Sequence, residues 1–203
     1  MTIGMLDNDM ALAEHSLVHE LEARLEALEA EVGSLKRQLA AKLPRNHASI
    51  ICFSGEWDRL FAALTIASGA LALGMEVDMF FTFWAVSALR TKDEPAKKGL
   101  SRVQTLFSRM LPRGFPRAPL SKFNFAGLGK VLMRQVMEQE GVDDIDVLFE
   151  QVRDLGANLH LCTTSADLFG VDCQELSGGE AINRCGVATF MSCALKSKVV
   201  LFV

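Results

Sequence analysis

The chain has 203 residues, half of them hydrophobic, a formal net charge of -4 and five cysteines. That length suffices for one core of ordinary size plus an appendage, and the acidic balance argues against general nucleic-acid affinity. An odd number of cysteines with no CxxC or zinc spacing argues against a disulfide or metal framework. The N-terminus is acidic and has no apolar signal region, so a cytoplasmic chain with reduced thiols is expected.

The charge is unevenly spread. Residues 1–44 carry eight acids against four bases, and 138–203 carry eleven against four. Between Arg90 and Arg134 the balance reverses, with eleven bases and only Asp93 and Glu94 as acids. A basic middle between acidic ends suits an acidic partner or, less readily, an anionic membrane surface; the plainer alternative is a solvated loop kept soluble by arginine.

In chain order, residues 11–43 repeat apolar positions every 3.5 residues. Val18, Leu25, Val32 and Leu39 occupy position a, and Leu21, Leu28 and Leu35 occupy d. Arg24 and Glu29, and Glu31 and Lys36, fall at g and e, where opposite charges fit a parallel two-stranded coiled coil. The competing arrangement is a helix packed back on the body, or one that frays at Gly33. An oligomerisation helix over 1–44 is therefore expected, with the globular domain from 45 to 203.

Residues 48–53 read as a buried strand, and Ser54-Gly55 as the turn into a helix over Asp58–Leu73. That turn is a weak anion-binding signal beside the ordinary βα connection it resembles. Residues 76–82 form a second strand with its acids outward, followed by a short helix from Trp84 to Leu89. The uncharged run Leu60–Met75 is too short to span a bilayer and suits a helix buried on a parallel sheet. Residues 91–122, with four prolines, form a partly mobile insertion. Helices follow over 125–140 and 145–155, then a strand at 158–161. After a short helix ending at Gly170, a loop leads past Gly178-Gly179 to Cys185 and a helix to Leu195, and 199–203 form the last strand. The alternation implies an α/β layered sandwich with a mostly parallel sheet.

Asn158–Gly170 is the chemically suggestive stretch. An apolar strand ends in Cys162, and Thr163, Thr164 and Ser165 are residue types that cap a helix N-terminus. Cys162 then stands at the carboxyl end of a strand, where ligands bind in open α/β sheets and where free N–H groups lower a thiol pKa. A buried, inert cysteine is the competing reading. The histidines at 15, 19, 47 and 160 are scattered and suggest no metal. No phosphate-binding glycine loop is present, so no cofactor is expected.

Four segments, IICFSG (50–55), ALGMEVDMFFTFW (72–84), LCTTSADLFGV (161–171) and CGVATF with the closing VVLFV, resemble the DsrE/DsrF-like family in spacing and order. The resemblance covers about Asn46 to Val203. It implies a Rossmann-like fold that oligomerises, and a cytoplasmic sulfur relay in which a cysteine persulfide passes between small carriers and rhodanese-type donors. The family's sulfur-carrying position corresponds to Cys162, with Thr163–Ser165 stabilising the terminal sulfur. Cys185 stands where relatives often have glycine, so it is either a second thiol of the site or a packed substitute. A non-catalytic scaffold and a peroxiredoxin-like thiol protein are the alternatives.

Overall fold

The computed structural model describes residues 19–36, 45–91, 99–171, 176, 177 and 179–203. The chain divides into two compact units, Met1–Leu43 and Pro44–Val203.

In the first unit, residues 19–36 are helical (α1). Leu21, Leu25, Leu28, Val32 and Leu35 form an exposed apolar stripe. Arg24 pairs within its own helix, donating to Glu20 at 2.9 Å. Val18 and Leu39, the outer positions of the expected heptads, lie outside the described residues.

The second unit is built on five strands, β1 (Arg45–Cys52), β2 (Glu76–Phe81), β3 (Asn158–Cys162), β4 (Ile182–Cys185) and β5 (Ser197–Phe202). Their order across the sheet is β4-β3-β2-β1-β5, and every pairing is parallel. The helices are α2 (Trp57–Ala72), α3 (Ala85–Ala88), α4 (Arg102–Met110), α5 (Leu128–Gln139), α6 (Ile145–Asp154), α7 (Thr163–Phe169) and α8 (Val187–Ala194). Helices lie on both sides of the sheet, which makes it a Rossmann-like sandwich. Among the described residues, no helix is long and apolar enough to cross a membrane.

Strand alternation gives the sheet two unlike faces. Ala48, Ile50 and Cys52 of β1, Val77, Met79 and Phe81 of β2, and Leu159 and Leu161 of β3 belong to the main core with α2 and α6. α2 reaches them with Leu60, Ala63, Leu64, Ala67 and Ala70, a spacing that keeps one stripe inward. It ends at Gly74, whose φ of +71° turns the chain toward β2; Met75 N–H bonds back to Ala70 O at 3.0 Å. The opposite face carries a smaller cluster of Phe80, Cys162, Cys185, Phe190 and Ala194 under α8, with Phe80 and Phe190 stacked at 4.7 Å.

Three expectations change. Residues 182–185, read as loop, are the edge strand β4. The insertion holds a nine-residue helix, α4, opened by a capping box in which Gln104 N–H donates to Ser101 Oγ at 3.1 Å and Ser101 N–H donates to Gln104 Oε1 at 3.0 Å. The acids of β2 are not both outward: Glu76 is exposed, but Asp78 is only 4% exposed.

Two of the middle segment's bases are interior. Lys130 donates to the carbonyls of Phe115, Pro116 and Ala118 at 2.8–3.0 Å. Burial pulls its ammonium pKa down to about 8, and nearby Arg134 adds to the effect. Arg90 is buried against Ser108, donating to its carbonyl and hydroxyl at 3.0 Å.

Candidate functional site

β3 ends at Cys162, which is also the N-cap residue of α7, with extended backbone (φ -64°, ψ 116°). The helix thus begins one residue earlier than a cap at Thr163–Ser165 requires. The three hydroxyl residues form its first turn, and none caps it with its side chain. Ser165 is buried, and its Oγ lies 3.1 Å from Thr82 Oγ1 and accepts from Phe83 N–H at 2.9 Å. It ties α7 to the end of β2. Thr163 is half-buried and Thr164 exposed.

Cys162 is 3% exposed. Burial acts to raise its thiol pKa, but the hydroxyls of Ser165 and Thr82 and the backbone N–H groups of Ser165 and Thr164 outweigh burial and leave it below the ordinary value. All four are neutral donors, so the sulfur gains anion stabilisation without an adjacent charge.

Cys185 is the direct register partner of Cys162 across β3 and β4, and it is 9% exposed. Burial pushes its thiol up, with Cys162, Cys193 and Asp78 adding to the effect. Cys193, half-buried on α8, is also raised, by burial and then by Asp78.

Deeper on the same face, Asp78 joins two of the histidines that looked scattered. His160 Nε2 lies 2.9 Å from Asp78 Oδ1, and His47 Nε2 lies 2.8 Å from Oδ2. A carboxylate only accepts, so each ring presents its Nε2–H to it. His47 Nδ1 meets Ser197 Oγ at 2.5 Å, and Ser49 Oγ is 2.8 Å from the same hydroxyl. Burial acts to raise the Asp78 carboxyl, yet its partners, His160 first, bring it below the usual range. Among the described residues, no group of histidine, cysteine and carboxylate side chains is arranged to hold a metal.

Ser54 and Gly55 end up elsewhere. They follow β1, two strands from β3 and so about 10 Å away by strand spacing. Ser54 Oγ is engaged with Glu56, accepting from its N–H at 3.1 Å and donating to its carboxylate at 3.0 Å. Gly55 is needed for close approach, since a Cβ there would lie 2.7 Å from Trp84 O. The two line a separate cleft of about 420 Å³ with Phe53, Arg59 and Trp84. Cys52 is buried on the α2 face, its thiol pushed up to about 12. Cys173 lies outside the described residues.

Sequence reasoning missed Thr82, Asp78, His47 and His160. Only the strand register places them: Phe81 pairs with Leu161, so Thr82 falls opposite Cys162.

A parallel Rossmann-like sheet that ends one strand in a donor-surrounded thiol defines the class. Residues 44–202 match the DsrE/DsrF/DrsH-like family, and the chain belongs to it. It is 38% identical over 156 residues to the uncharacterized protein YrkE of Bacillus subtilis, covering 76% of this chain and 95% of that one. It is 28% identical over 155 residues to the protein named sulfur carrier protein DsrE2 of Allochromatium vinosum, covering 76% and 96%.

Proposed function

We propose that this protein is a sulfur carrier that holds sulfane sulfur as a persulfide on Cys162 and relays it between protein thiols. The observation that carries the reading is the Cys162 environment: a strand-end thiol with four neutral donors around it and a lowered pKa. Family membership and the relative named as a sulfur carrier support the same chemistry.

In this mechanism the Cys162 thiolate attacks the outer sulfur of a donor persulfide. The donor's S–S bond breaks, its thiolate leaves, and Cys162–S–S⁻ forms. An acceptor thiolate then attacks the outer sulfur and returns Cys162 as thiolate. A lowered thiol pKa raises the thiolate fraction at neutral pH and also makes Cys162 a better leaving group in the second step. Thr164 and Ser165 amides with the Thr82 and Ser165 hydroxyls stabilise the anion at both stages. The exchange needs no organic cofactor or metal. Sulfur carriers or rhodanese-type proteins are the partners this chemistry suits, in a reducing cytoplasm. The exposed leucine stripe of α1 suits a parallel coiled coil between copies, making the carrier an oligomer.

Intact mass of the reduced protein after incubation with a persulfide donor tests the proposal. A gain of about 32 Da, one sulfur, is expected in the native chain and in Cys185→Ser, and its loss in Cys162→Ser. Retained loading in folded Cys162→Ser overturns the assignment.

A further inference from the structure

The second thiol of the α8 face has a position that the relay does not use. Cys162 and Cys185 are register partners on neighbouring parallel strands. Such strands run about 4.8 Å apart, inside the 4.4–6.8 Å Cα range that a disulfide spans. The two side chains share one small cluster with Phe80, Phe190 and Ala194, so alternation brings them to the same side. Each is the last residue of its strand, and after Cys185 comes Gly186, around which a Cβ would meet nothing within 4 Å. The chain therefore has room to adjust where a bond would form.

We propose that Cys185 is a resolving thiol: it converts the Cys162 persulfide into a Cys162–Cys185 disulfide and free sulfide. This rests on the persulfide reading above. The Cys185 sulfur attacks the Cys162 Sγ, the bond between Sγ and the outer sulfur breaks, and its electron pair leaves with the outer sulfur. The Cys185 proton goes to that sulfur, which departs as hydrosulfide. The sulfane sulfur is reduced to sulfide, and the two cysteine sulfurs are oxidised to the disulfide. An external dithiol returns the pair to its reduced form and becomes a disulfide itself. The protein then has two outlets for its cargo, transfer to an acceptor thiolate or reductive discharge as sulfide.

The environments of the two sulfurs suit these unequal roles. The donors around Cys162 favour its anion, whereas burial keeps Cys185 protonated, which supplies the proton the leaving sulfur takes. A protonated thiol attacks slowly, so discharge lags behind a docked acceptor. Cys193 is also near, but it sits on α8, outside the strand register, and interacts with Asp78.

The test loads the reduced full chain with glutathione persulfide, removes the donor, and follows intact mass together with sulfide trapped by a bimane reagent. The native chain is expected to lose the adduct of about 32 Da, reach a mass about 2 Da below the dithiol form, and release one equivalent of sulfide. Cys185→Ala and Cys185→Ser should hold the adduct longer by about tenfold or more, while Cys193→Ser behaves as the native chain. Peptide mapping should find the Cys162–Cys185 link. The step is overturned by an adduct on Cys162 as durable in the native chain as in Cys185→Ala, by migration of the adduct to Cys185, or by a link to Cys193. Failure of every variant to take up sulfur rejects the persulfide reading, and this step with it.

Discussion

Cys52 and Cys162 close parallel strands of one sheet at the same edge, yet their thiols are displaced in opposite directions. Cys52 is level with Phe81, and Phe81 with Leu161, in the register. Cys162 is one residue further along, and one residue turns a side chain to the other face. On the α2 and α6 side, Cys52 belongs to the main apolar core, and burial raises its thiol pKa. On the α8 side, Cys162 meets hydroxyls and helix N–H groups. Both are the last residue of their strand, so the face each occupies sets the direction in which its thiol pKa is displaced. The α2 face supplies cohesion, and the α8 face carries the polar network and the candidate chemistry.

The largest effect on this contrast should come from Asp78→Ala, which leaves the rings of His47 and His160 buried without their acceptor. A loss of about 2–5 kcal/mol is expected, as for two buried donors left without an acceptor, read by urea unfolding near neutral pH. Phe81→Ala, on the opposite face, should cost a similar ~3–5 kcal/mol by leaving a cavity, but the cost should not vary with acid. Asp78 contributes differently. Its folded pKa lies below the unfolded one, so its contribution is full above about pH 4, the unfolded carboxyl value. It is lost as pH falls through the lowered folded value. The native chain and Asp78→Asn should therefore begin to converge in stability only as pH falls below about 4, whereas the native chain and Phe81→Ala should keep a constant difference.

A smaller change is expected from Ser165→Ala. It removes a donor to the Cys162 sulfur and should weaken anion stabilisation by about 1 kcal/mol, the scale of one hydrogen bond. The midpoint of the pH profile for alkylation at Cys162 should then move upward; an unchanged midpoint would show that the Thr82 hydroxyl and the backbone amides set it without the Ser165 hydroxyl. Smallest of all is Cys52→Ala. It should cost on the order of 1 kcal/mol of stability for the atoms removed and leave the alkylation profile of Cys162 where it was.

The strands with continuous apolar runs were legible in the sequence, as was the thiol at the end of the third, because both signals are local. β4 was not. Its residues, Ile182-Asn183-Arg184-Cys185, are buried only at the two ends, which gives neither alternation nor an apolar run. α4 had a readable start in Ser101-x-x-Gln104, but the surrounding prolines and glycines outweighed it. The sequence puts the cap of α7 late because Thr163, Thr164 and Ser165 are all good capping types, whereas the cysteine before them holds that position. Asp78, His47 and His160 come from three separate stretches of sequence. Nothing short-range links them, and only register makes them a network. Cys185 stands out in the sequence as a departure from glycine, but its adjacency to Cys162 depends on β4, which carries no local strand signal.

α7 ends at Gly170, where a Cβ would lie 2.5 Å from a methyl carbon of Leu100. Gln104 Nε2 donates to Asp167 O at 3.3 Å, and Phe107 of α4 stacks on Phe169 at 5.7 Å. One end of this seven-residue helix faces the Cys162 sulfur, and the other is seated on the segment that begins at Leu100. For anyone building chimaeras between this chain and its relatives, residues 100–110 and 163–170 therefore form one cassette. Exchanging either alone would leave a misfitted joint at Gly170, only one short helix away from the thiol.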